Sequence, residues 1–383
     1  MPPLGDRYDI IILGSGITGL STVYHLRKAG VQSIALASAT DRAQIATSST
    51  PGLLFGTPLD NFTRPSHRHG TDVARDIWQF SSSAFEGVIS YCDAHKIPHA
   101  KGQRQRFITS DHEVSEAIIA TQQLQNIGRP VQMRTPPIEC SSTVRAVQDE
   151  GLLGAVVEVP DLLAALESHP YAAMLPKIDR IAADGRGPIA LFTADGRQFT
   201  CEIVVLACHL DISRLLPELS EAIVTTAQQW CQIDFDHAVP PAFHNLIFSW
   251  NHGNVWGGFN TPQSARIGGA SYLRPNGGME AEVASVDPQI SDHLMEQLTR
   301  NFAFLKSPRI MKTTAGLDIR PCDELPIIGP MFGNGRVLVA CGYMGHGLSW
   351  GFHAGKCLAE LMVTGRAMDL PRSFWPERLR SLE

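Results

Sequence analysis

The segment Tyr8-Asp-Ile-Ile-Ile-Leu-Gly-Ser-Gly-Ile-Thr-Gly19 decides the fold of this 383-residue chain. Its apolar first half predicts a buried strand, and residues 17–29 carry apolar side chains at the spacing of a helix. Residues 33–37 predict a second short strand, so residues 8–38 form a compact βαβ unit. The glycines between strand and helix match G-x-G-x-x-G, and in a βαβ unit that motif indicates a dinucleotide site.

Each glycine of the motif has a separate physical role. Gly14 allows a tight turn, Gly16 allows a pyrophosphate to approach the backbone, and Gly19 allows the helix to pack closely on the strand. The N-terminus of the helix then points unpaired N–H groups at the phosphates. We therefore expect cofactor contacts from the loop and the first helical turn, namely Gly14, Ser15, Gly16, Ile17, Thr18 and Gly19.

The end of the second predicted strand departs from the usual pattern of such units. An acidic residue commonly binds the ribose hydroxyls at this place, whereas this chain has Ala37 followed by Ser38. Either Ser38, Thr40 or Asp41 holds the ribose, or dinucleotide binding is weakened.

The composition limits the class of protein. With 44% hydrophobic and 18% charged residues the chain can form a large core, and two domains are the natural expectation. The balance of 38 acidic against 32 basic residues, a formal net charge of −6, offers no general attraction for nucleic acid or an anionic membrane. Eight cysteines without metal-type spacing, and no long apolar run, predict a reducing, cytoplasmic protein with free thiols, no metal site and no membrane span.

The remaining sequence predicts two interleaved domains. We expect helices at 73–92, 113–125, 288–304 and 351–363 and strands at 197–207 and 336–340. Residues 1–70, 146–222 and 311–383 are assigned to the dinucleotide domain, and residues 71–145 and 223–310 to a second domain. The predicted fold class is α/β: a Rossmann-like nucleotide domain with an interleaved α+β domain that contains an antiparallel sheet.

Motifs along nearly the whole chain resemble those of one enzyme family. Residues 11–22, the small-residue segment Ala46-Thr-Ser-Ser-Thr-Pro-Gly-Leu-Leu54 and the strand Ile203-Val-Val-Leu-Ala-Cys-His209 have counterparts there. The most specific match joins Ala315-Gly-Leu-Asp-Ile-Arg-Pro-Cys-Asp-Glu-Leu-Pro-Ile-Ile-Gly329 to Val339-Ala-Cys-Gly-Tyr-Met-Gly-His-Gly-Leu-Ser349 at family spacing. The chain resembles the FAD-dependent D-amino-acid oxidase superfamily, particularly its glycine oxidase and sarcosine oxidase-like branch.

The resemblance implies an FAD whose pyrophosphate lies on the first helix and whose isoalloxazine ring lies between the domains. The C-terminal glycine-rich turn would stabilise the reduced flavin, because such a turn before a helix is a preformed anion site. Sarcosine oxidase-like members bind flavin covalently through a cysteine that here matches Gly316, with Cys322 out of register, so noncovalent FAD is implied. Besides the glycine motif, the implied cofactor contacts are Ser38, Thr47, Ser48, Ser49, Ala207, Cys208, Gly342, Gly345, His346, Gly347, Leu348 and Ser349.

The same C-terminal motif bears on the substrate. In glycine oxidase-like members an arginine after Gly-Leu clamps the substrate carboxylate, and its ungapped match here is Asp318. Arg320 takes that role if the strand is shifted, since residues two apart share a strand face; otherwise Asp318 favours a cationic amine over an amino acid. Other carboxylate ligands of the family fall on Ser349 and Gly345. The substrate-binding candidates are Asp318, Arg320, Tyr343, Ser349 and Trp350.

Three residues are candidates for a direct part in catalysis. Arg64 lies in Asn61-Phe-Thr-Arg-Pro-Ser-His-Arg-His-Gly70, which resembles a flavin-adjacent segment, with a solvated basic loop as an equal alternative. Arg266 aligns approximately with a family lysine that helps oxygen accept an electron, against the alternative of an outward-facing strand residue. His346 would orient substrate or flavin, or else hold its own turn.

The implied reaction is oxidation of a C–N bond in an amine or amino-acid derivative. The neutral amine delivers hydride to the flavin, and water hydrolyses the resulting imine. Dioxygen is the expected acceptor, with a quinone or carrier protein as the alternative. A nicotinamide-dependent dehydrogenase, a tRNA-base-trimming enzyme and a non-catalytic FAD-binding relative are the competing hypotheses, and the acidic charge disfavours the second.

Overall fold

The computed structural model of the chain describes residues 6–38, 45–183 and 187–382. Its strands are β1 (Arg7–Leu13), β2 (Ile34–Ala37), β3 (Leu53–Phe55), β4 (His99–Gly102), β5 (Arg104–Ile108), β6 (Gln132–Arg134), β7 (Ala146–Asp149), β8 (Gly154–Val157), β9 (Ala173–Leu175), β10 (Arg180–Ala182), β11 (Ile189–Phe192), β12 (Gln198–Leu206), β13 (Ile223–Asp234), β14 (Ile247–Trp250), β15 (Val255–Thr261), β16 (Ser264–Gly269), β17 (Arg309–Pro321), β18 (Ile327–Met331) and β19 (Asn334–Cys341). Its helices are α1 (Ile17–Lys28), α2 (Thr63–His69), α3 (Thr71–His95), α4 (Asp111–Asn126), α5 (Val159–Glu167), α6 (Ile212–Leu215), α7 (Pro288–Asn301) and α8 (Gly347–Thr364).

Residue contacts divide the chain into two compact units. The first takes the described residues of Met1–Thr50, Val159–Thr225 and Asp318–Glu383, and the second takes Pro51–Glu158 and Thr226–Leu317. This division differs from the expected one chiefly because residues 51–70 and 146–158 group with the second unit. The physical reason is strand pairing, since β3 and β4 both hydrogen-bond antiparallel to β8 and form one small sheet.

A mostly parallel sheet forms the centre of the first unit. Its strand order is β10-β11-β12-β1-β2-β9, with β19 beside β12 and β18 beside β19. The pairs β1–β2, β1–β12, β2–β9 and β12–β19 are parallel, so the carboxyl ends of these strands meet at one edge of the sheet. The predicted βαβ unit is confirmed, and the apolar run of β1 is buried as expected for a strand covered on both faces.

The other predicted elements are confirmed, with boundaries that shift by up to four residues. Helix α7 ends at Asn301 instead of residue 304, because Phe302 turns into an aromatic core. Helix α8 begins at Gly347, one turn before the predicted start at 351, and the Trp350 N–H closes its first turn on the His346 carbonyl at 2.9 Å. Gly342, Gly345 and Gly347 together suggested a longer loop before the helix. Of these three glycines, Gly342 and Gly345 adopt positive φ values, and Gly347 is the first residue of α8.

Two glycines bring α8 against α1. A Cβ on Gly351 would lie 2.8 Å from the Ile17 and Thr18 side chains, and one on Gly355 would lie 2.8 Å from backbone atoms of α1. The Ser21 hydroxyl on α1 donates to the Phe352 carbonyl on α8 at 2.6 Å. The first and last helices of the first unit therefore pack backbone to backbone.

The second unit contains an eight-stranded, mostly antiparallel sheet and a phenylalanine core. The strand order is β17-β13-β16-β15-β14-β5-β7-β6, in which β14 and β5 are parallel. Phe107, Phe248 and Phe302 are fully buried on the side of this sheet that also packs with α7, with ring centroids 5.2 Å apart in the pairs that Phe302 forms with the other two. The expected antiparallel sheet is confirmed.

A buried ion cluster anchors the opposite side of strand β5. Arg104 and Glu150 are 0% and 1% exposed, and Arg106 is nearly as buried. The Arg106 Nε donates to a Glu150 carboxylate oxygen at 2.8 Å, and Thr57 donates to the other oxygen. Arg104 donates to Ser249 Oγ at 2.8 Å, and burial lowers the pKa of its guanidinium. One carboxylate thus compensates two buried guanidinium groups.

Membrane-spanning helices and disulfide bonds are both absent from the described part of the chain. Within residues 6–38, 45–183 and 187–382 no helix is long and apolar enough to cross a membrane. All eight cysteines lie in those residues, and none is in a disulfide bond.

We expect Gly355→Ala to reduce the free energy of unfolding by about 1–3 kcal/mol, because the new methyl group must displace backbone atoms of α1. Denaturant unfolding followed by circular dichroism measures the change. Gly335→Ala is the matched control, since a Cβ there meets nothing within 4 Å. Equal stability of the two variants would contradict the close packing of α1 and α8.

We expect Glu150→Gln to destabilise the protein by about 3–5 kcal/mol, because it leaves two buried guanidinium groups without their carboxylate. The same unfolding experiment measures this loss. Glu202→Gln removes the carboxylate of an exposed pair with Arg7 and should change stability by less than about 1 kcal/mol.

Candidate functional site

The glycine loop after β1 is built around two backbone contacts. Gly14 has φ +114°, and a Cβ on it would lie 2.2 Å from the Ala207 carbonyl oxygen. A Cβ on Gly19 would lie 1.8 Å from the carbonyl oxygen of Gly14. Only glycine fits at these two positions, and the result is a helix N-terminus directed at the carboxyl edge of the parallel sheet.

Gly16 is less crowded, because the nearest atom to a Cβ there is Thr47 Oγ1 at 3.3 Å. Thr47 also accepts the Ile17 N–H at 3.1 Å, so it caps the start of α1 from another part of the chain. Ser49 donates to Ala46 within its own turn, and Ser48 is exposed. The small-residue segment therefore meets the glycine loop through Thr47.

Two serine hydroxyls meet beside Ala37, the place where such units commonly have an acidic residue. Ser15 Oγ and Ser38 Oγ lie 2.5 Å apart, at the ends of β1 and β2. Ala37 is 3% exposed and belongs to the core of the first unit, so its side chain points away from this edge. Ser38 places a hydroxyl directly after β2, where a ribose ligand was expected, while Thr40 and Asp41 lie outside the described residues.

The turn after β12 lies directly against the glycine loop. The Ala207 N–H donates to the Leu13 carbonyl at 2.8 Å. Burial raises the pKa of the Cys208 thiol, which is therefore uncharged at neutral pH. His209 follows with φ +51°, a conformation that glycine or asparagine adopts more readily. His209 is not among the residues that the sequence pattern predicted for the site, although its place after Ala-Cys at a strand end was an available signal.

The C-terminal loop forms a second helix N-terminus at the same sheet. Gly342 has φ +74°, and a Cβ there would lie 2.4 Å from Pro321. Gly347, Leu348 and Ser349 lie in the first turn of α8, where backbone N–H groups have no intrahelical acceptor. Neither α1 nor α8 carries an acidic residue in its first turn, so both N-termini favour an anion.

Tyr343 connects the two helix N-termini. Its hydroxyl lies 2.9 Å from Thr18 Oγ1, and burial raises the pKa of the phenol. The structure thus brings together a predicted cofactor residue and a predicted substrate residue. This bond favours a role for Tyr343 in holding the loop against α1.

The remaining candidates in this loop are turned inward. His346 is 4% exposed, its Nδ1 lies 2.9 Å from the Met344 carbonyl, and its ring stacks on Trp350 at 4.6 Å. Trp350 is 3% exposed and also packs on Phe374, which favours a structural role over substrate contact. Ser349 Oγ donates to the His346 carbonyl at 3.4 Å.

Asp318 and Arg320 lie on the same face of β17. Ile319 between them is 2% exposed and packs into the core of the first unit, which fixes the register. Arg320 donates to Glu324 at 3.0 Å. Asp318 Oδ1 lies 3.5 Å from His209 Nε2. Arg320 is therefore paired with Glu324, and Asp318 faces His209.

The two other catalytic candidates lie in the second unit. Arg64 is half exposed on α2, 3.4 Å from Asp60, and burial raises the pKa of that carboxyl. Arg266 on β16 is partly buried and donates to the Pro51 carbonyl at 2.5 Å. Burial lowers the pKa of Arg266, and its Nε has no hydrogen-bond partner among the described residues.

The donor set of the first unit suits a dinucleotide. The N-termini of α1 and α8 offer backbone N–H groups to a pyrophosphate, and no acidic side chain lies in either first turn. The hydroxyls of Ser15 and Ser38 offer donors to a ribose. Among the described residues no group of three His, Cys, Asp or Glu side chains could hold a metal ion.

Comparisons with known proteins agree with this assignment. The chain is similar in structure to glycine oxidase from Geobacillus kaustophilus, with 16% identity and a TM-score of 0.78 over 97% of this chain and 98% of that one. It is also similar to L-proline dehydrogenase from P. horikoshii, with 16% identity and a TM-score of 0.80 over 99% and 100% of the two chains. It is similar as well to L-amino acid deaminase from Proteus vulgaris, with 13% identity and a TM-score of 0.74 over 99% of this chain and 98% of that one. These likenesses show the shared fold.

The sequence itself identifies the family. No curated protein gives a significant match to the chain. The sequence model of the FAD dependent oxidoreductase family matches residues 9–361 of the chain. This match confirms the resemblance seen in the motifs. The chain therefore belongs to the D-amino-acid oxidase family of FAD-dependent oxidoreductases, and its cofactor is FAD.

Proposed function

We propose that this enzyme is an amine oxidase that uses noncovalent FAD and prefers a cationic amine to an amino acid. The observation that carries the substrate preference is the charge on the half-buried face of β17 that Asp318 and Arg320 share. Asp318 presents a carboxylate there, whereas the guanidinium of Arg320 is paired with Glu324. A substrate carboxylate meets repulsion on this face, and an ammonium group meets attraction.

The residues of the first unit hold the cofactor in this proposal. The first turn of α1 and the glycine loop bind the pyrophosphate, Ser38 binds a ribose hydroxyl, and the first turn of α8 faces the pyrimidine end of the flavin. When bound, FAD accepts two electrons from the carbon that bears the substrate nitrogen. Gly316 and the orientation of Cys322, whose thiol donates to the Glu221 carbonyl at 3.4 Å, support noncovalent binding.

Dioxygen is the acceptor that the basic residues of the second unit favour. Arg266 carries a partly buried positive charge with one N–H unsatisfied among the described residues. A fixed cation stabilises superoxide as its charge develops. We propose Arg266 for this role and Arg64 for contact with the substrate or the ring.

The visible spectrum of the purified protein is the first test of cofactor binding. We expect flavin bands that move entirely to the supernatant after acid precipitation. An anaerobic screen then compares loss of flavin absorbance with primary amines, diamines and neutral or acidic amino acids, and hydrogen peroxide is measured in air. A colourless protein that takes up no added FAD, or bleaching by amino acids alone, would contradict the proposal.

We expect Asp318→Asn to raise KM for the best amine about tenfold, because the substrate ammonium loses the attraction of the carboxylate, and about 1.4 kcal/mol corresponds to a tenfold change. Steady-state kinetics measures the change. Asp93→Asn is the matched control, since Asp93 also pairs with a histidine, His99, at 3.3 Å. An unchanged KM would show that Asp318 does not face the substrate.

We expect Gly16→Val to weaken FAD binding at least about tenfold, because its methyl groups occupy the space through which the pyrophosphate approaches the backbone. Flavin retained after gel filtration, and titration of the apoprotein with FAD, measure the effect. Gly335→Val controls for the loss of a glycine at an open position. Retention of FAD at wild-type affinity would place the pyrophosphate elsewhere.

A further inference from the structure

We infer that His209 accepts the proton that a cationic amine must lose before its C–N bond is oxidised, and that Asp318 orients His209 for this step. The inference rests on the proposed function and deepens it, because it assigns a proton acceptor for the same site. The observation behind it is a histidine–carboxylate pair at the carboxyl edge of the parallel sheet.

The position of His209 follows from the backbone around the glycine loop. The Ala207 carbonyl oxygen is the atom that excludes a side chain at Gly14. His209 comes two residues after Ala207, at the start of the turn that leaves β12. The imidazole is therefore carried by the segment that packs on the cofactor loop itself.

The backbone of His209 is strained for a histidine. Its φ of +51° lies in the left-handed region, where a Cβ clashes with the following carbonyl. Glycine would relieve this strain, yet the chain has an imidazole there. Strained non-glycine residues cluster at functional sites, where the surrounding structure holds them in place.

The geometry of the pair suits proton transfer. His209 Nε2 lies 3.5 Å from Asp318 Oδ1, and the two side chains are 32% and 34% exposed. Asp318 Oδ1 also accepts the Ile319 N–H at 2.9 Å, which fixes the carboxylate. No described residue hydrogen-bonds to His209 Nδ1. One imidazole nitrogen thus faces a carboxylate while the other is available to a ligand.

The other charged groups near this turn have partners of their own. Asp211 lies 2.9 Å from Lys177 Nζ and 3.2 Å from Arg214 Nε. Burial raises the pKa of the Cys208 thiol and raises that of Cys341 to about 12, so both thiols are neutral near pH 7. The arginine two residues after Asp318 is paired with Glu324. Asp318 is therefore the carboxylate that acts on the imidazole.

The step moves one proton and no electrons between the reacting groups. An N–H bond of the substrate ammonium breaks, its bonding pair stays on the substrate nitrogen, and the proton forms a new bond to His209 Nδ1. The carboxylate of Asp318, whose Oδ1 lies 3.5 Å from Nε2, stabilises the imidazolium by its negative charge. The substrate nitrogen then carries the lone pair that C–N oxidation requires. The partly exposed imidazole returns the proton to water.

Two amines of similar shape test this assignment. One is the best basic amine of the screen, and the other is its β-difluorinated analogue, which is largely neutral at the assay pH. We expect His209→Asn to lower kcat/KM about a hundredfold for the basic amine and to leave the fluorinated amine nearly unchanged. Asparagine tolerates a positive φ, so the variant keeps the turn. His99→Asn removes the histidine of another carboxylate pair and is the matched control.

Binding of tert-butylamine provides a readout that does not depend on turnover. This amine has no hydrogen on the carbon that bears nitrogen, so it cannot be oxidised, and its binding is followed by the change in the visible spectrum of the holoenzyme. We expect a dissociation constant about tenfold higher in Asp318→Asn and in His209→Asn, and an unchanged one in His99→Asn. Wild-type affinity in both site variants would overturn the assignment.

The outcomes separate this inference from the proposed function. Equal loss of activity on the basic and the fluorinated amine in His209→Asn would show a structural role, and amine oxidation by the wild type would then still stand. A protein that lacks flavin bands or oxidises no amine would end the proposed function and this inference together.

Discussion

The first unit depends on the absence of side chains at Gly14 and Gly19. The Ala207 and Gly14 carbonyls occupy the space that Cβ atoms would need. Because these backbones touch, α1 starts at the carboxyl edge of the sheet and directs its N–H groups there. Gly355 has the same role between two helices, because the lack of a side chain there lets α8 pack on the backbone of α1. Contacts made possible by glycine at both ends of the chain thus hold α1 and α8 together, and we propose their N-termini as the FAD site.

The two ends of the site differ in electrostatic character. Both helix N-termini lack acidic residues in their first turns, which suits the pyrophosphate and a reduced flavin. The half-buried face of β17 instead carries Asp318, in ion-pair distance of His209. A shared fold can serve different substrates when the residues around its site differ. The charge on β17 is therefore the feature from which we infer the substrate class.

The cofactor half of the site could be predicted from local patterns, and the substrate half could not. The glycine motif and its flanking strand and helix lie within 31 consecutive residues (8–38), so periodicity and turn chemistry describe them. The cap that Thr47 places on Ile17 and the bond between Thr18 and Tyr343 join distant segments. Trp350 shows why residue type alone does not predict a substrate contact. A tryptophan suits a pocket wall, but here His346 and Phe374 bury it.

Sequence patterns were sufficient to predict the βαβ unit, the glycine positions, the interleaved order of the domains and the family, because each depends on residues close together or on motifs with set spacing. The tertiary structure decided where the units divide, that Ser38 meets Ser15, that α8 starts at Gly347, and that Asp318 faces His209 while Arg320 is paired with Glu324. Strand register explains the last point, since the burial of Ile319 turns both neighbours to the opposite face. Asp318 meets His209, which lies about a hundred residues earlier in the chain, and Arg320 meets Glu324 in the turn after β17. Tertiary packing brings these pairs together.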